Sequence, residues 1–378
     1  MKRLILAIKQ INRKQWWMIG ILTICCIASL IFVSHNYSFY DRPIAKVTNT
    51  KVIKSTKVTD DYHNEDKKTT QKIQAVLKNT DYRGQEITLK NTYTIAKAYD
   101  QAYQRGDEVF VHIDKDSLSE SQLTGDIKDV KRDQSILIFA WIFLFVLYFI
   151  GKRQGLFAFI SLAVNVILLT YAIEINVQTN ANLLLLMGIV AVLFTVTSLL
   201  LVNGFNEKTY AAIVATLLGT LASLLITWLV MYFTKENGLH YEEMQFLTRP
   251  YKLVFIAGLF IGAIGAVMDV AITMSSSIFE LWEKDHHISI QALKQSGLDI
   301  GRDIMGTMTS ILFFAYISGT IPMLILYLKN GSPLPFTLSM NLSLELARAL
   351  SGGLGIVLTI PIGLYISIFF VRRKKAKL

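Results

Sequence analysis

Long apolar runs separated by short polar breaks occupy most of the chain, and one polar segment of about ninety residues interrupts them near the start. The first run, Trp16–Val33, has a tryptophan pair at one edge and Tyr37, Phe39 and Tyr40 beyond the other. A stretch of this length and evenness predicts a membrane-spanning helix. No small-x-small cleavage pattern follows it, so it reads as an uncleaved anchor. Seven more runs follow at Ile136–Ile150, Leu156–Ile173, Leu183–Val202, Tyr210–Phe233, Leu253–Thr273, Ile304–Leu328 and Leu350–Val371. The expectation is a polytopic α-helical membrane protein of about eight transmembrane helices.

Alternation replaces the long runs between residues 40 and 132. Lys72–Leu77, Glu86–Leu89 and Asp107–Ile113 alternate apolar and polar positions and predict short strands, punctuated by turn signals at Asn79–Gly84 and Arg105–Asp107. Ile95–Tyr103 fits a helix or a further strand. The pattern suits a small β-barrel or sandwich. Five regions follow: a basic tail (1–15), an anchor helix (16–33), a β-rich extracytoplasmic domain (40–132), a seven-helix membrane core (135–371) and a second basic tail (372–378).

Composition agrees with this reading and charge orients it. Of 378 residues, 52% are apolar and 17% charged, against about a quarter charged in an ordinary soluble protein. The net charge of +10 sits almost wholly in residues 1–14 and 372–377. Positive charge beside a membrane helix marks the cytoplasmic side, and an even span count puts both tails there. Lys152, Arg153 and Lys208 fall inside, and the acidic loop Glu174–Asn182 falls outside. No basic face is left for a duplex, so nucleic acid is excluded as a main partner; the lipid bilayer is the expected one. Cys25 and Cys26 are adjacent within the first run and read as inert thiols. His63, Glu65 and Asp66 lack a second ligand group at fixed spacing, and His286 and His287 are neighbours rather than four residues apart. No metal or cofactor is expected.

The polar residues within apolar runs carry whatever chemistry the core has. Gly258, Gly262, Gly265, Asp269, Thr273 and Ser276 share one helical face. Small residues let helices approach closely in lipid, and a carboxylate at membrane depth must face protein, water or a partner charge. Asp299, Arg302 and Asp303 share a face with Gly306 and Ser310 at the next span; Arg302 suits Asp269 as a partner and could also pair with Asp299. The last span supplies Glu345, Arg348, Gly352, Gly355 and Thr359 in one stripe, with Pro361 as a kink. Gly262–Ile272 and Gly352–Ile362 align without gaps, which suggests two small-faced helices meeting at a shared interface.

The stretches GAIGAVMDVAITMSSS (262–277), SGLDIGRDIMGTMT (296–309) and GLGIVLTIP (353–361) resemble the YibE/F family of bacterial multispanning proteins. The resemblance runs from about residue 70 to the end of the chain. It implies an anchor, an outer domain and a polytopic core in a bacterial plasma membrane, and a shorter relative lacking the outer domain as a partner. It brings no activity, so no catalytic role is carried over.

Two functions fit this pattern. One is transport or conduction of a small solute or ion through a site near Asp269. The other is a non-enzymatic scaffold or assembly factor acting through its outer domain. No P-loop, HExxH or GxSxG motif is present, so neither direct ATP drive nor a hydrolase of those types is expected; an intramembrane hydrolase in which Asp269 with Asp299 or Asp303 imitates an aspartyl dyad stays open as a third reading.

Overall fold

A computed structural model describes residues 13–97, 100–114, 123–244 and 250–375. Most of the first basic tail, the end of the second, and Arg249 of the loop before Tyr251 lie outside the described residues. The chain divides into two compact units, residues 1–146 and 147–378.

In the first unit, helix α1 (Arg13–His35) leads through a 3-10 turn (Asn36–Phe39) into five strands: β1 (Ile44–Thr59), β2 (Glu65–Leu77), β3 (Glu86–Tyr93), β4 (Glu108–Ile113) and β5 (Leu123–Val130). They close into a barrel in the order β1-β2-β3-β5-β4, with β3 and β5 parallel and every other pair antiparallel. This is the arrangement of a five-stranded OB-type barrel. Alternate positions fill the interior: Ala45, Val47, Ile73, Ala75, Leu77, Ile87, Leu89, Val109, Val111 and Leu123 form one buried cluster with Tyr103. Gly125 on β5 is required for closure, because a Cβ there would lie 2.2 Å from the His112 carbonyl oxygen. Two strands escaped the alternation argument. The outer half of β1 is exposed on both faces and so reads as polar coil, and β5 is only partly alternating. Ile95–Tyr103 contains neither helix nor strand among its described residues; Asp100 instead accepts the Thr94 backbone N–H at 3.0 Å.

The β1–β2 hairpin is closed by a local carboxylate turn. Asp60 accepts the backbone and side-chain N–H groups of Asn64 at 2.8 and 2.9 Å, and the Asn64 bonds hold its carboxyl below the ordinary range. A depressed carboxylate contributes above its unfolded pKa, and the contribution is lost as pH falls through the lowered one.

The remaining helices are α2 (Asp133–Thr179), α3 (Leu183–Asn203), α4 (Glu207–Thr234), α5 (Tyr251–Lys284), α6 (Ile290–Ser318), α7 (Ile321–Lys329) and α8 (Leu334–Lys375). Six described helices, α1 to α5 and α8, are long and apolar enough to cross a membrane; α6 and α7, bent by 47° at Gly319–Thr320, make a seventh together. Helix α2 is interrupted: Lys152 has φ 49° and ψ −123°, outside the helical region. A Cβ on Gly155 would lie 2.0 Å from the Leu147 carbonyl oxygen. In a continuous helix those residues would be about 12 Å apart along the axis, so the chain bends sharply there.

The core of the second unit is a three-helix contact among α4, α5 and α8, where small residues admit close approach. A Cβ at Gly355 would meet Val267 at 2.8 Å and Ser223 at 3.4 Å; one at Gly219 would meet the Thr359 hydroxyl at 2.1 Å. Ser223 donates to the Ser351 carbonyl at 2.6 Å, and Thr227 to the Ser351 hydroxyl at 2.8 Å. Helices α5 and α8 therefore do meet, through Val267 and Gly355. Helix α8 runs helical through Pro361 and begins at Leu334, well before Leu350.

Candidate functional site

The two helical faces that share Gly258, Gly262, Glu345 and Arg348 border one cavity of about 900 Å³. Apolar side chains of α2 and α3 (Leu169, Ile173, Leu183, Met187) form one wall. Helix α5 contributes Gly258, Ile261 and Gly262, and α8 contributes Met340, Asn341, Leu344, Glu345 and Arg348. Tyr316, Gly319, Thr320 and Met323 line it from the break between α6 and α7. That break has a local cause: Pro322 stands at the start of α7, where its missing N–H costs nothing.

Polar groups are few and converge. Glu345 and Arg348, one helical turn apart, form a close ion pair with about one-fifth of each side chain exposed. The Arg348 guanidinium lies 5.3 Å from the centre of the Phe255 ring. Gly262 faces the Tyr316 hydroxyl so closely that a Cβ would sit 2.1 Å from its oxygen. At the rim, Glu243 accepts the Tyr327 hydroxyl at 3.1 Å. His240 contacts Glu242 at 2.8 Å and Ser339 at 3.1 Å; the backbone and the His240 ring hold the Glu242 carboxyl below its ordinary value.

The residues around Asp269 are arranged differently. Helix α5 continues to Lys284, so Asp269 lies near its middle rather than one turn from its end. Its side chain is exposed on the helix bundle and makes no hydrogen bond or ion pair among the described residues; the Thr273 hydroxyl donates to its backbone carbonyl at 2.7 Å. Arg302 pairs with Asp299 at 3.2 Å and not with Asp269. The i,i+3 spacing on one helix makes that pairing local, and both side chains are more than half exposed, where such a pair contributes about 0–1 kcal/mol. Asp303 is exposed beside them.

The glycines also divide. A Cβ at Gly352 would meet Leu312 at 2.4 Å, and Gly355 packs as described, whereas a Cβ at Gly258 or Gly265 would have no neighbouring atom within 4 Å. The expectation that Gly258 and Gly265 pack another helix is corrected here: Gly258 opens on the cavity and Gly265 on the exposed face that bears Asp269. Tyr316, Asn341 and Glu243 were not anticipated from sequence. The only signal for their meeting place was Gly319-Thr320-Ile321-Pro322, a turn-and-restart inside an apolar run. No group of three or more metal-ligating side chains occurs among the described residues.

Two family models match. That of the YibE/F-like protein covers residues 139–373, which holds the cavity and the Asp269 face. The chain belongs to the YibE/F family. The model of the YibE/F family N-terminal domain covers residues 38–130, the barrel. No curated protein matches, and no solved structure does. Within this YibE/F chain the boundary between the two matches falls at the start of α2, where the polar segment gives way to apolar helices.

Proposed function

We propose that the protein is a non-enzymatic plasma-membrane protein of eight crossings that moves a small solute or ion through the cavity at Glu345 and Arg348. Counting residues 133–151 and 153–179 as separate crossings, and α6 with α7 as one, gives an even number, which supports having both termini on one side; their positive charge favours the cytoplasmic side, with the barrel outside. The observation that carries the reading is the cavity itself: about 900 Å³, bordered by a helix break and holding a partly buried ion pair. Irregular backbone at membrane depth is tolerated where it borders such a cavity, and transporter sites are built from broken helices of this kind. An ion pair in an apolar cavity can exchange partners, with Arg348 taking an anionic group and Glu345 a cation or proton.

Asp269 extends this route. It lies seven residues beyond Gly262 on the same α5 face, about 10 Å along the axis. A carboxylate with no hydrogen bond or ion pair among the described residues is free to hold an ion or proton. The test is solute depletion from proteoliposomes loaded with a mixed pool of organic acids, amino acids and inorganic ions. Gly258→Trp fills open cavity space, so it is expected to keep the wild-type unfolding temperature while flux falls at least tenfold. Asp269→Asn is expected to fold normally and lose ion or pH dependence. Flux by Gly258→Trp equal to the wild type, or no wild-type flux above empty vesicles, removes the proposal.

One feature favours the scaffold reading as the second choice. Val52, Ile53 and Val58 are 46–60% exposed on the outer arm of the β1–β2 hairpin, where a protein partner, such as a shorter family member, has apolar surface to cover. Deleting residues 40–132 then abolishes function and the co-purification of that partner.

A further inference from the structure

A second pocket, of about 580 Å³, lies at the base of the barrel where α1 ends and α2 begins, and its charge is unbalanced. Lys46 on β1 and Lys78 and Arg83 on the β2–β3 loop line it, with His35 from the last turn of α1. Glu108 is the one carboxylate among the lining residues. Its charge is already answered from behind: Lys131, with 2% of its side chain exposed, lies 3.3 Å away, and the Tyr37 hydroxyl donates to it at 2.5 Å. Lys46 reaches it only at 3.8 Å. Lys78 and Arg83 have no ion pair among the described residues. Lys131 is shared with Asp133 at 3.1 Å, so Glu108 is answered by Lys131 and Lys46 together, and the unbalanced charge of the pocket is that of Lys78 and Arg83.

The loop that presents Lys78 and Arg83 is fixed. The buried Asn79 side chain accepts the Ile44 backbone N–H at 2.7 Å and donates to the carbonyls of Tyr37, Tyr40 and Arg42 at 2.9–3.2 Å. These contacts of one side chain, the amide NH2 shared among three carbonyls, pin the loop backbone to the chain leaving α1, so the positions from which Lys78 and Arg83 project are set before a ligand binds. The pocket floor is Ser34, His35 and Gln134, the residues at the ends of α1 and α2. If those helices cross a bilayer, this is the depth of the lipid phosphates.

We propose that this pocket binds a phosphate group, supplied by an anionic phospholipid headgroup at the outer membrane surface. The proposal rests on the membrane reading above, and carbonate-resistant sedimentation of the expressed protein checks that reading separately. The test uses the full chain in phosphatidylcholine nanodiscs, with and without phosphatidylglycerol, and counts retained lipids by native mass spectrometry. The wild type is expected to retain phosphatidylglycerol in preference to phosphatidylcholine. Lys78→Gln with Arg83→Gln is expected to weaken that retention about thirty-fold, the effect of two surface cations. The charge-matched pair Lys51→Gln with Lys54→Gln, on the exposed hairpin arm, is expected to leave it unchanged. Saturable binding of inorganic phosphate in phosphatidylcholine discs, lost only in the first variant, supports the phosphate site and assigns it a soluble ligand. Equal loss in both variants, or no preference with the protein demonstrably inserted, overturns it.

Discussion

Lys131→Met is expected to destabilise the barrel unit by about 3–5 kcal/mol, the cost of removing one partner from a buried ion pair. The Lys131 ammonium lies 3.3 Å from Glu108 and 3.1 Å from Asp133, and donates to the Val33 carbonyl at 2.9 Å, with 2% of the side chain exposed. Met fills much the same volume, so packing is preserved and the charge alone is removed. Glu108 and Asp133 are then left as two partly buried carboxylates with only Lys46, half-exposed and 3.8 Å from Glu108, to answer them. Tyr37, Tyr40 and Asn36 still donate to them, but neutral donors do not cancel the repulsion. Pulse proteolysis of the full chain across a urea series measures the loss. Lys128→Met, at a side chain 55% exposed, is the matched control and is expected within about 0.5 kcal/mol of the wild type. A Lys131→Met loss below about 1 kcal/mol would falsify the view that this cation holds the cluster together.

Gly125→Val is expected to cost about 3 kcal/mol or more, at or beyond the upper end of the overpacking range. The reason is space rather than backbone freedom. Gly125 pairs with Leu89 on β3 and Ile113 on β4, at the point where β5 bridges the parallel and antiparallel sides of the barrel. A Cβ at that position meets the His112 carbonyl oxygen at 2.2 Å and its carbon at 3.1 Å. Backbone atoms cannot rotate aside as a side chain does, so β4 must move away and break the pairing that closes the barrel. Gly188→Ala on α3, with no atom within 4 Å of the added carbon, is expected to be neutral or slightly stabilising, since Ala is the better helix former. Thermal unfolding of the two variants side by side decides it; similar melting temperatures would sink the claim that Gly125 is kept for closure.

Particular residues show where sequence reasoning reached and where it stopped. Periodicity located Lys72–Leu77, Glu86–Leu89 and Asp107–Ile113 as strands because one face of each is buried. It passed over the outer half of β1, since a strand exposed on both faces has no alternation to display. Apolar runs located the long helices for the same reason in reverse: a helix that meets apolar surroundings needs no polar face. The Asn79 anchor was read only as part of a turn signal, because its contacts join groups up to 42 residues away. Lys131 carried no signal in the sequence, because its partners come from α1, β4 and the start of α2.

The candidate site divides the same way. Glu345 and Arg348 were legible as a pair because a helix sets i,i+3 neighbours side by side. Arg302 was equally within reach of Asp299 by that rule, whereas a bond to Asp269 required two helices to present those side chains to each other, and the bundle does not do so. By itself, the order of apolar and polar residues determined the long apolar helices, the barrel segment, the family and the local ion pairs, since each follows from neighbours within a turn or a strand. Which glycines pack and which open onto space, how the strands close, and which polar groups converge on a cavity were decided by tertiary structure alone. Those outcomes depend on distances between segments far apart in the chain, and no local periodicity encodes them.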